Sequence, residues 1–281
     1  MKKLKMFLDK YFLYHISNKF PSAFRFYSAV YEKIFEYIGL IKYRDKYFFH
    51  VVSFEISTYC NRKCWYCPNK DNETPKEFMD FEIFKKAIAE LKDIKYSGSI
   101  SYNFYGEPLF DKRLEDFIKY THDNLPQCFT LLYSNGDILN IDRAKKLVDA
   151  GLDKFIITVH DKNPERNLER LKPVKEFLGH KMLLQASSDL QLTNQGGSID
   201  IQNYENKFQP KRCPSIKNLI ITKDGDIVLC CKDYYRTNIM GNFIKGGGIV
   251  KVYSSYKKLR ERLLKDNIAD LEICKKCLER E

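Results

Sequence analysis

Short β-rich runs alternate with helical patterns between residues 50 and 186, and this alternation limits the fold more than any other feature of the sequence. The predicted strands are residues 51–58, 100–105, 129–134, 155–160 and 181–186, and the predicted helices are residues 81–94, 112–124, 141–150 and 165–178. Runs in this order pair in parallel through right-handed crossovers. A doubly wound sheet and a partial or full barrel both fit, and in either fold the loops after the strands carry the chemistry.

The composition is that of a chain that can bury a full core. Of its 281 residues, 44% are apolar and 30% are charged, which excludes collagen-like and wholly disordered proteins. No uncharged apolar stretch of about 18 residues occurs, so no transmembrane helix is predicted. The first five residues are basic, but Asp9, Lys10 and His15 follow them and no small-residue cleavage site is present. This is a poor secretory signal, and we expect a cytoplasmic protein.

Residues 1–49 are predicted to form a separate N-terminal helical extension. The net charge of the chain is +11, and the first fifty residues contain ten Lys or Arg, four Asp or Glu and 15 of the 40 aromatic residues. Apolar side chains at helical spacing are Phe24, Tyr27, Tyr31, Phe35 and Ile38, and Pro21 separates two helices. The extension is either a packed helical cap or a segment that contacts an anionic membrane surface through residues 1–45. A basic segment alone is weak evidence for nucleic acid, which we do not expect as a partner.

The first group of cysteines, Cys60, Cys64 and Cys67, lies directly after the first predicted strand. In a reducing compartment, thiols at such short spacings are metal ligands more often than disulfides. Three thiolates can hold a polynuclear iron centre, whereas a structural zinc site needs four ligands. The nearest further candidate ligand, His50, lies at the far end of the strand. A cluster held by three cysteines leaves one iron open to a small molecule.

The CxxxCxxC spacing, with Tyr66 before the last cysteine, resembles the radical S-adenosylmethionine (SAM) superfamily. The resemblance implies a partial (β/α)6 barrel of the TIM type. It also implies a [4Fe–4S] cluster whose open iron site binds SAM, and reductive cleavage of SAM to a 5′-deoxyadenosyl radical. Gly106, Glu107 and Pro108 end the second strand and are similar to the GEP element of the family, which binds the SAM amino group. A carboxylate on a Gly-Pro turn suits such an ammonium group.

Polar residues at the ends of the later strands are implied as SAM or substrate ligands by the same resemblance. They are Ser134, Asn135, Thr158, His160 and Gln185. The pair Ser134-Asn135 resembles the S/TNG turn of the family. Asn135-Gly136 can alternatively form an ordinary turn. Asp161, which follows His160, can alternatively be the N-cap of the next helix.

A second group of cysteines follows residue 205, where the strand–helix alternation stops. A hairpin is predicted at residues 218–222 and 226–230, followed by a helix at about 252–265 and a terminal CxxC. The pattern resembles the SPASM/twitch extension of radical SAM enzymes, in the short form with one auxiliary [4Fe–4S] cluster. The ligands that it implies are Cys213, Cys230, Cys274 and Cys277.

Two questions about this second group stay open in the sequence. Cys231 is an alternative to Cys230 as a ligand, and it is otherwise a packing residue or a candidate catalytic hydrogen donor. Zinc is the alternative metal, because adjacent thiols with a CxxC pair also suit a four-cysteine zinc site. The ninth cysteine, Cys128, precedes an apolar strand and is predicted to be a small buried hydrophobic residue.

We therefore predict an N-terminal extension (1–49), a radical SAM core (50–205) and an auxiliary cluster module (206–281). The expected enzyme abstracts hydrogen from a small carbohydrate or aminocyclitol, which gives dehydrogenation or epimerisation. The resemblance also implies a low-potential electron donor such as flavodoxin or ferredoxin. Modification of a peptide or protein is the alternative, although the C-terminal module has only five cysteines. A non-catalytic iron–sulfur protein is a third hypothesis, which the intact GEP element opposes.

Overall fold

One sheet organises the chain in this computed structural model. The structure describes Lys2 and residues 33–34, 36–46, 48–71, 75–205, 207–208, 210, 213, 217–265, 268 and 270–279. The predictions on Pro21, Phe24, Tyr27, Tyr31 and Phe35 lie outside these residues. Residues 36–43 are helical, in agreement with the predicted extension. None of the described helices is long and apolar enough to cross a membrane.

Five strands alternate with four helices as predicted. In chain order they are β1 Val51–Phe54, α1 Phe81–Asp93, β2 Ser99–Ser101, α2 Leu114–Asn124, β3 Phe129–Ser134, α3 Ile141–Asp149, β4 Lys154–Val159, α4 Glu165–Leu178 and β5 Met182–Ala186. Each strand from β1 to β5 pairs in parallel with the next. The α/β class and the partial TIM-type arrangement of parallel strands are confirmed. The first two strands are about half as long as predicted, because the chain leaves the sheet after Phe54 and after Ser101.

Local chemistry sets where the helices begin. The side chain of Asp80 accepts a hydrogen bond from the backbone N–H of Glu82 at the start of α1. The side chain of Asn140 accepts one from the backbone N–H of Arg143 at the start of α3. These contacts satisfy N–H groups that have no partner inside the helix.

The C-terminal segment extends the same sheet. Its strands are β6 Asn218–Ile221, β7 Asp226–Val228 and β8 Ile239–Asn242. The predicted β6–β7 hairpin is confirmed, and β8 pairs antiparallel with β7. The pairing of β6 in parallel with β1 was not predicted, and it gives the order β5-β4-β3-β2-β1-β6-β7-β8. The boundary between core and module at residues 205 and 206 stays a prediction.

Three helices end the chain. They are α5 Ile249–Ser255, α6 Lys257–Leu264 and α7 Glu272–Leu278. The prediction of a single helix at 252–265 was wrong, because the backbone leaves helical geometry at Tyr256 (φ −108°, ψ 17°). The ring of Tyr256 is buried against Tyr253 at this break.

The two faces of the parallel strands carry different side chains. Successive residues of a strand point to opposite faces. One face joins the hydrophobic core through Val52, Ile100, Leu132, Phe155 and Ile157. The alternate positions lie on the other face, where the polar side chains of Ser53, Ser101, Tyr133, Thr158 and Gln185 stand beside the apolar Leu131, Ile156 and Leu183. The sheet therefore has an apolar face against the helices and a mixed face, which we call the polar face and which carries hydroxyl and amide groups.

Candidate functional site

The loop after β1 brings Cys60, Cys64 and Cys67 together. The backbone N–H of Cys67 donates to the carbonyl of Cys64 at 3.0 Å, and the short helix Pro68–Asp71 follows. Burial raises the pKa of each thiol, and the charge of a second thiolate of the group raises it further. All three side chains are only partly buried. The three thiols that the sequence proposed as ligands therefore form one cluster of side chains.

The Gly106-Glu107 turn packs against the chain that leads into this loop. A Cβ atom at Gly106 would lie 2.0 Å from the carbonyl oxygen of Ser57, so only glycine fits. The backbone N–H of Glu107 donates to the carbonyl of Tyr59 at 2.7 Å. The loops after β1 and β2 are thus in direct backbone contact, next to the first thiol.

The carboxylate of Glu107 joins two of the predicted ligand motifs. It is 3% exposed, and it accepts hydrogen bonds from Ser134 Oγ at 2.7 Å, the Asn135 N–H at 2.8 Å and the Leu109 N–H at 3.1 Å. Burial raises the pKa of Glu107 to about 7, although these hydrogen bonds lower it. Each carboxylate oxygen can accept two hydrogen bonds, so Oε2, which receives the Asn135 N–H, can accept another donor.

The remaining predicted ligands lie at the ends of β4 and β5. The hydroxyl of Tyr66 contacts Nδ1 of His160, and Gln185 Nε2 donates to Thr158 Oγ1 at 3.2 Å. Burial, together with the nearby charge of Arg62, lowers the pKa of His160 to about 4, so its ring is neutral at neutral pH. Burial raises the pKa of Tyr66. These contacts connect the cysteine loop to the far side of the sheet.

Arg62 and Asp137 were not identified from the sequence as residues of this site. Arg62 lies between the first two cysteines, and it forms ion pairs with Asp137 after β3 and Asp161 after β4. Asp161 therefore contacts Arg62, and Pro164 occupies the N-cap of α4 instead. The sequence pattern that could have predicted these ion pairs is an arginine inside the CxxxC spacing together with an aspartate just after each of two later strands. Cys128 is fully buried, as predicted.

The second group of thiols lines a small cavity at the C-terminal end of the chain. Its walls are Cys213, Cys230, Cys274 and Cys277, together with Thr193, Pro210, Lys232, Ile268, Ile273 and Leu278. Cys231 is not among these lining residues. Burial raises the pKa of Cys274 to about 12, and the charges of Cys213 and Cys277 raise it further. The cavity is thus formed by the four predicted ligands and mostly apolar neighbours.

The turn Gln195–Gly197 holds the helix that carries two of these thiols. A Cβ atom at Gly196 would lie 2.8 Å from the side chain of Ile273, and Gly196 has φ +70°. The side-chain amide of Asn194 donates to the carbonyl of Lys276 at 2.7 Å. This contact joins the segment after β5 to helix α7.

The donor chemistry of both groups fits iron–sulfur clusters. A [4Fe–4S] cluster binds each cysteine through a different iron atom, so its ligands surround the volume of the cluster and do not converge on one ion. In the part of the chain that the structure describes, no group of three or more His, Cys, Asp or Glu side chains is arranged to hold a single metal ion. The fit therefore rests on the mutual proximity of the three thiols in the first group and on the cavity between the four of the second.

The loop after β2 contacts the segment that carries Cys230 and Cys231. The hydroxyl of Tyr105 donates to the carbonyl of Cys231 at 2.9 Å, directly before the Gly106-Glu107 turn. The ring of Tyr133 is 45% exposed on the polar face of β3, while desolvation by the surrounding protein raises the pKa of its hydroxyl and the charge of Cys231 raises it further. Ser101 and Thr158 on the same face are buried, so a ligand would reach this face beside Tyr133.

Comparisons with known proteins agree with this geometry. The sequence profile of the Radical SAM superfamily matches residues 54–184. The chain is 31% identical over 235 residues to the S-adenosyl-L-methionine-dependent 2-deoxy-scyllo-inosamine dehydrogenase of Niallia circulans, covering 82% of this chain and 92% of that protein.

Two solved structures are similar over the same extent. The crystal structure of BtrN in complex with AdoMet and 2-DOIA has a TM-score of 0.73 and 28% identity, and the match covers 81% of this chain and 92% of that one. The structure of BtrN in an open conformation has a TM-score of 0.64 and 26% identity, with 82% and 92% covered. The described fold is thus more similar to the complex than to the open form.

Proposed function

Because the chain belongs to the radical SAM superfamily, whose members use SAM and a [4Fe–4S] cluster, and is an oxidoreductase like the dehydrogenase that it resembles over 82% of its length, we propose that it dehydrogenates a small ring substrate of the aminocyclitol class. One observation carries the proposal: Tyr133, Thr158 and Gln185 share one face of the sheet, and Tyr133 on that face is 45% exposed and interacts with the charge of Cys231. The similarity to a curated aminocyclitol dehydrogenase over 82% of the chain supports the same substrate class.

The loops after β1, β2 and β3 would bind the cluster and SAM. Cys60, Cys64 and Cys67 would hold the cluster, which when bound supplies the electron that cleaves SAM to methionine and a hydrogen-abstracting 5′-deoxyadenosyl radical. The free acceptor position on Glu107 Oε2 suits the SAM ammonium group. Asn135 contacts both groups: its side-chain amide lies 4.0 Å from the Cys60 sulfur, and its backbone N–H donates to the Glu107 carboxylate.

The polar face would bind the substrate. Hydroxyl and amine groups of a small ring need donors and acceptors at several positions, and Tyr133, Thr158 and Gln185 provide both. Tyr66 and His160 are at the same edge, next to the cluster loop. Because Nδ1 contacts Tyr66, the other nitrogen of the neutral His160 ring is the one that can form a hydrogen bond with a substrate hydroxyl group.

The C-terminal thiols would hold a second cluster. Cys213, Cys230, Cys274 and Cys277 surround the cavity, and an auxiliary [4Fe–4S] cluster bound there supplies an acceptor for the electron that the oxidised substrate must lose. The electron that starts the reaction would come from a low-potential donor such as flavodoxin or ferredoxin. Iron, and not zinc, is expected at both sites, and metal analysis of the anaerobically purified chain tests this.

Epimerisation is the second candidate function, and the position of Cys231 favours it. Cys231 is not one of the residues that line the four-thiol cavity, and its charge acts on Tyr133 and Tyr105 at the polar face. A thiol in that place could return a hydrogen atom to a substrate radical. Deuterium from solvent at the attacked carbon of the recovered alcohol would support epimerisation, and formation of a ketone would support dehydrogenation.

The main test is an anaerobic assay of the reconstituted full chain. Aminocyclitols with different amino substitution would be incubated with SAM and a strong reductant, and 5′-deoxyadenosine and ketone would be quantified. We expect one ketone for each 5′-deoxyadenosine, and background levels of both with Cys64→Ala. Formation of 5′-deoxyadenosine without an oxidised ring in any member of the series would reject the substrate class.

We also propose that residues 1–45 contact an anionic membrane surface. Leu40 and Ile41 are 53% and 64% exposed on the described helix, beside the exposed Ile34 and Tyr37. The excess of basic over acidic residues in this segment complements anionic lipid. Leu40→Asp with Ile41→Asp should release the protein from phosphatidylglycerol vesicles, whereas Phe177→Asp, at an exposed apolar residue elsewhere, should not. Equal sedimentation of both variants with the vesicles would refute the contact.

A further inference from the structure

Arg62 makes a two-point ion pair with Asp137. Its Nε donates to Asp137 Oδ2 at 2.6 Å, and its Nη2 donates to Asp137 Oδ1 at 2.5 Å. The side chains are only 17% and 18% exposed. A planar guanidinium that meets both carboxylate oxygens fixes the orientation of both groups, which a lysine or a single hydrogen bond cannot do.

The cysteine loop and the turn after β3 are joined by further hydrogen bonds around this pair. Asn61 Nδ2 donates to Asp137 Oδ2 at 2.7 Å, and Asn135 Nδ2 donates to Asn61 Oδ1 at 2.8 Å. The Asp137 N–H donates to Asn135 Oδ1 at 2.9 Å, which closes the network. Two residues between the first two cysteines are thus fixed to the residues that follow Ser134.

The same arginine reaches a third loop. Arg62 Nη2 lies 3.1 Å from Asp161 Oδ2, and Asn167 of α4 donates to the same oxygen at 2.8 Å. Arg170 of α4 donates to the carbonyl of Gly136 at 2.7 Å. The loops after β1, β3 and β4 are therefore connected to one another and to α4 through charged hydrogen bonds.

We propose that Arg62 is a positioning residue, whose pair with Asp137 fixes the Cys60–Cys64 segment relative to the SAM-binding residues Asn135 and Glu107. The inference rests on the proposed function, because it assumes that these thiols hold the SAM-binding cluster. Both Asp137 oxygens accept from Arg62, so the guanidinium is directed to the loops and not to SAM. Removal of groups that orient metal ligands typically changes metal affinity about 10-fold to 100-fold.

The test measures how fast a chelator removes iron from the reduced, reconstituted full chain. The electron paramagnetic resonance (EPR) signal that responds to SAM identifies the cluster concerned. We expect Arg62→Gln and Asp137→Asn each to accelerate its loss about 10-fold. The double variant should accelerate the loss by less than the product of the two single effects, because both changes remove the Arg62–Asp137 pair. The SAM concentration for half-saturation should rise in parallel in all three variants.

Arg113→Gln is the matched control. Arg113 forms the same kind of two-point pair, with Asp111 at 3.0 and 2.8 Å, outside the cysteine loop. Its variant should lose the cluster at the wild-type rate.

Three results would overturn the inference: loss within twofold of wild type, additive effects in the double variant, or equal acceleration by Arg113→Gln. A wild-type chain without a SAM-responsive signal would instead contradict the proposed function itself.

Discussion

The two groups of thiols differ in their surroundings. The three-thiol loop lies among hydrogen-bonding groups, including Glu107, Asn135 and Arg62. The four-thiol cavity is bounded largely by apolar residues such as Pro210, Ile268 and Leu278. A site that must accept and release a charged ligand needs polar partners, whereas a cluster with only protein ligands needs exclusion of water. The surroundings are thus consistent with the proposed roles of a SAM-binding cluster site in the loop and an auxiliary cluster site in the cavity.

The largest expected effect is the loss of product when one thiol of either group is replaced, and the two replacements should affect different products. Cys64→Ala should reduce 5′-deoxyadenosine formation to background, because the reactive cluster loses a ligand. Cys277→Ala should leave this formation measurable in the absence of substrate and should abolish the oxidised product. The measurement is anaerobic chromatography of both products. Normal turnover in Cys277→Ala would remove the second site from the reaction.

The next largest effect concerns the ligand of the first site. Glu107→Gln keeps the shape of the side chain but removes its charge, so the SAM ammonium group loses an ionic hydrogen bond. A hydrogen bond to a charged group contributes about 1.5–3 kcal/mol, which corresponds to roughly 10-fold to 100-fold in affinity. Equilibrium binding of SAM to the reduced protein measures it. An unchanged dissociation constant would place the ammonium elsewhere.

A smaller effect is expected from pH at the same carboxyl group. Burial raises the pKa of Glu107 to about 7, so the group is protonated below that pH and is ionised above it. SAM affinity should therefore rise severalfold between about pH 6 and about pH 7.5, before the SAM amino group itself loses its proton. Glu107→Gln should remove most of this rise. The same slope in wild type and variant would assign the titration to another group.

The smallest effect tests the contact between the two regions. Tyr105→Phe removes the hydrogen bond to the Cys231 carbonyl and keeps the ring contact with Tyr234 at 4.6 Å. We expect the free energy of unfolding to fall by about 1 kcal/mol and the yield of product per 5′-deoxyadenosine to decrease. Tyr235→Phe, at an exposed neighbour, is the control and should change neither quantity. An unaltered yield in Tyr105→Phe would mean that this contact does not couple the two sites.

The sequence predicted the strand–helix order well, because buried parallel strands and amphipathic helices leave local patterns. β3 and α4 agree residue for residue with the predictions. The pairing of β6 with β1 was not predicted, since strands so distant in sequence leave no periodic signal of their contact. The short strand β8 was missed as well, and it contains Gly241 at φ +147°, a residue that weakens any strand pattern.

The site was predicted as separate motifs, and its contacts were not. The spacing of Cys60, Cys64 and Cys67 specifies a ligand set, because all three lie on one loop. The hydrogen bonds of Glu107 to Ser134 and Asn135 depend on the register of two strands, which the motifs do not encode. Whether each proposed residue binds cluster, SAM or substrate stays a prediction.

The central claim is that the three-thiol site binds a cluster with an iron atom open to SAM. EPR spectroscopy of the anaerobically reconstituted, reduced chain, recorded with and without SAM, tests it most directly. The account predicts signals from two [4Fe–4S] clusters, of which SAM alters only one, and that one is absent in Cys64→Ala. A spectrum that SAM leaves unaltered, in a protein that contains iron, would contradict it.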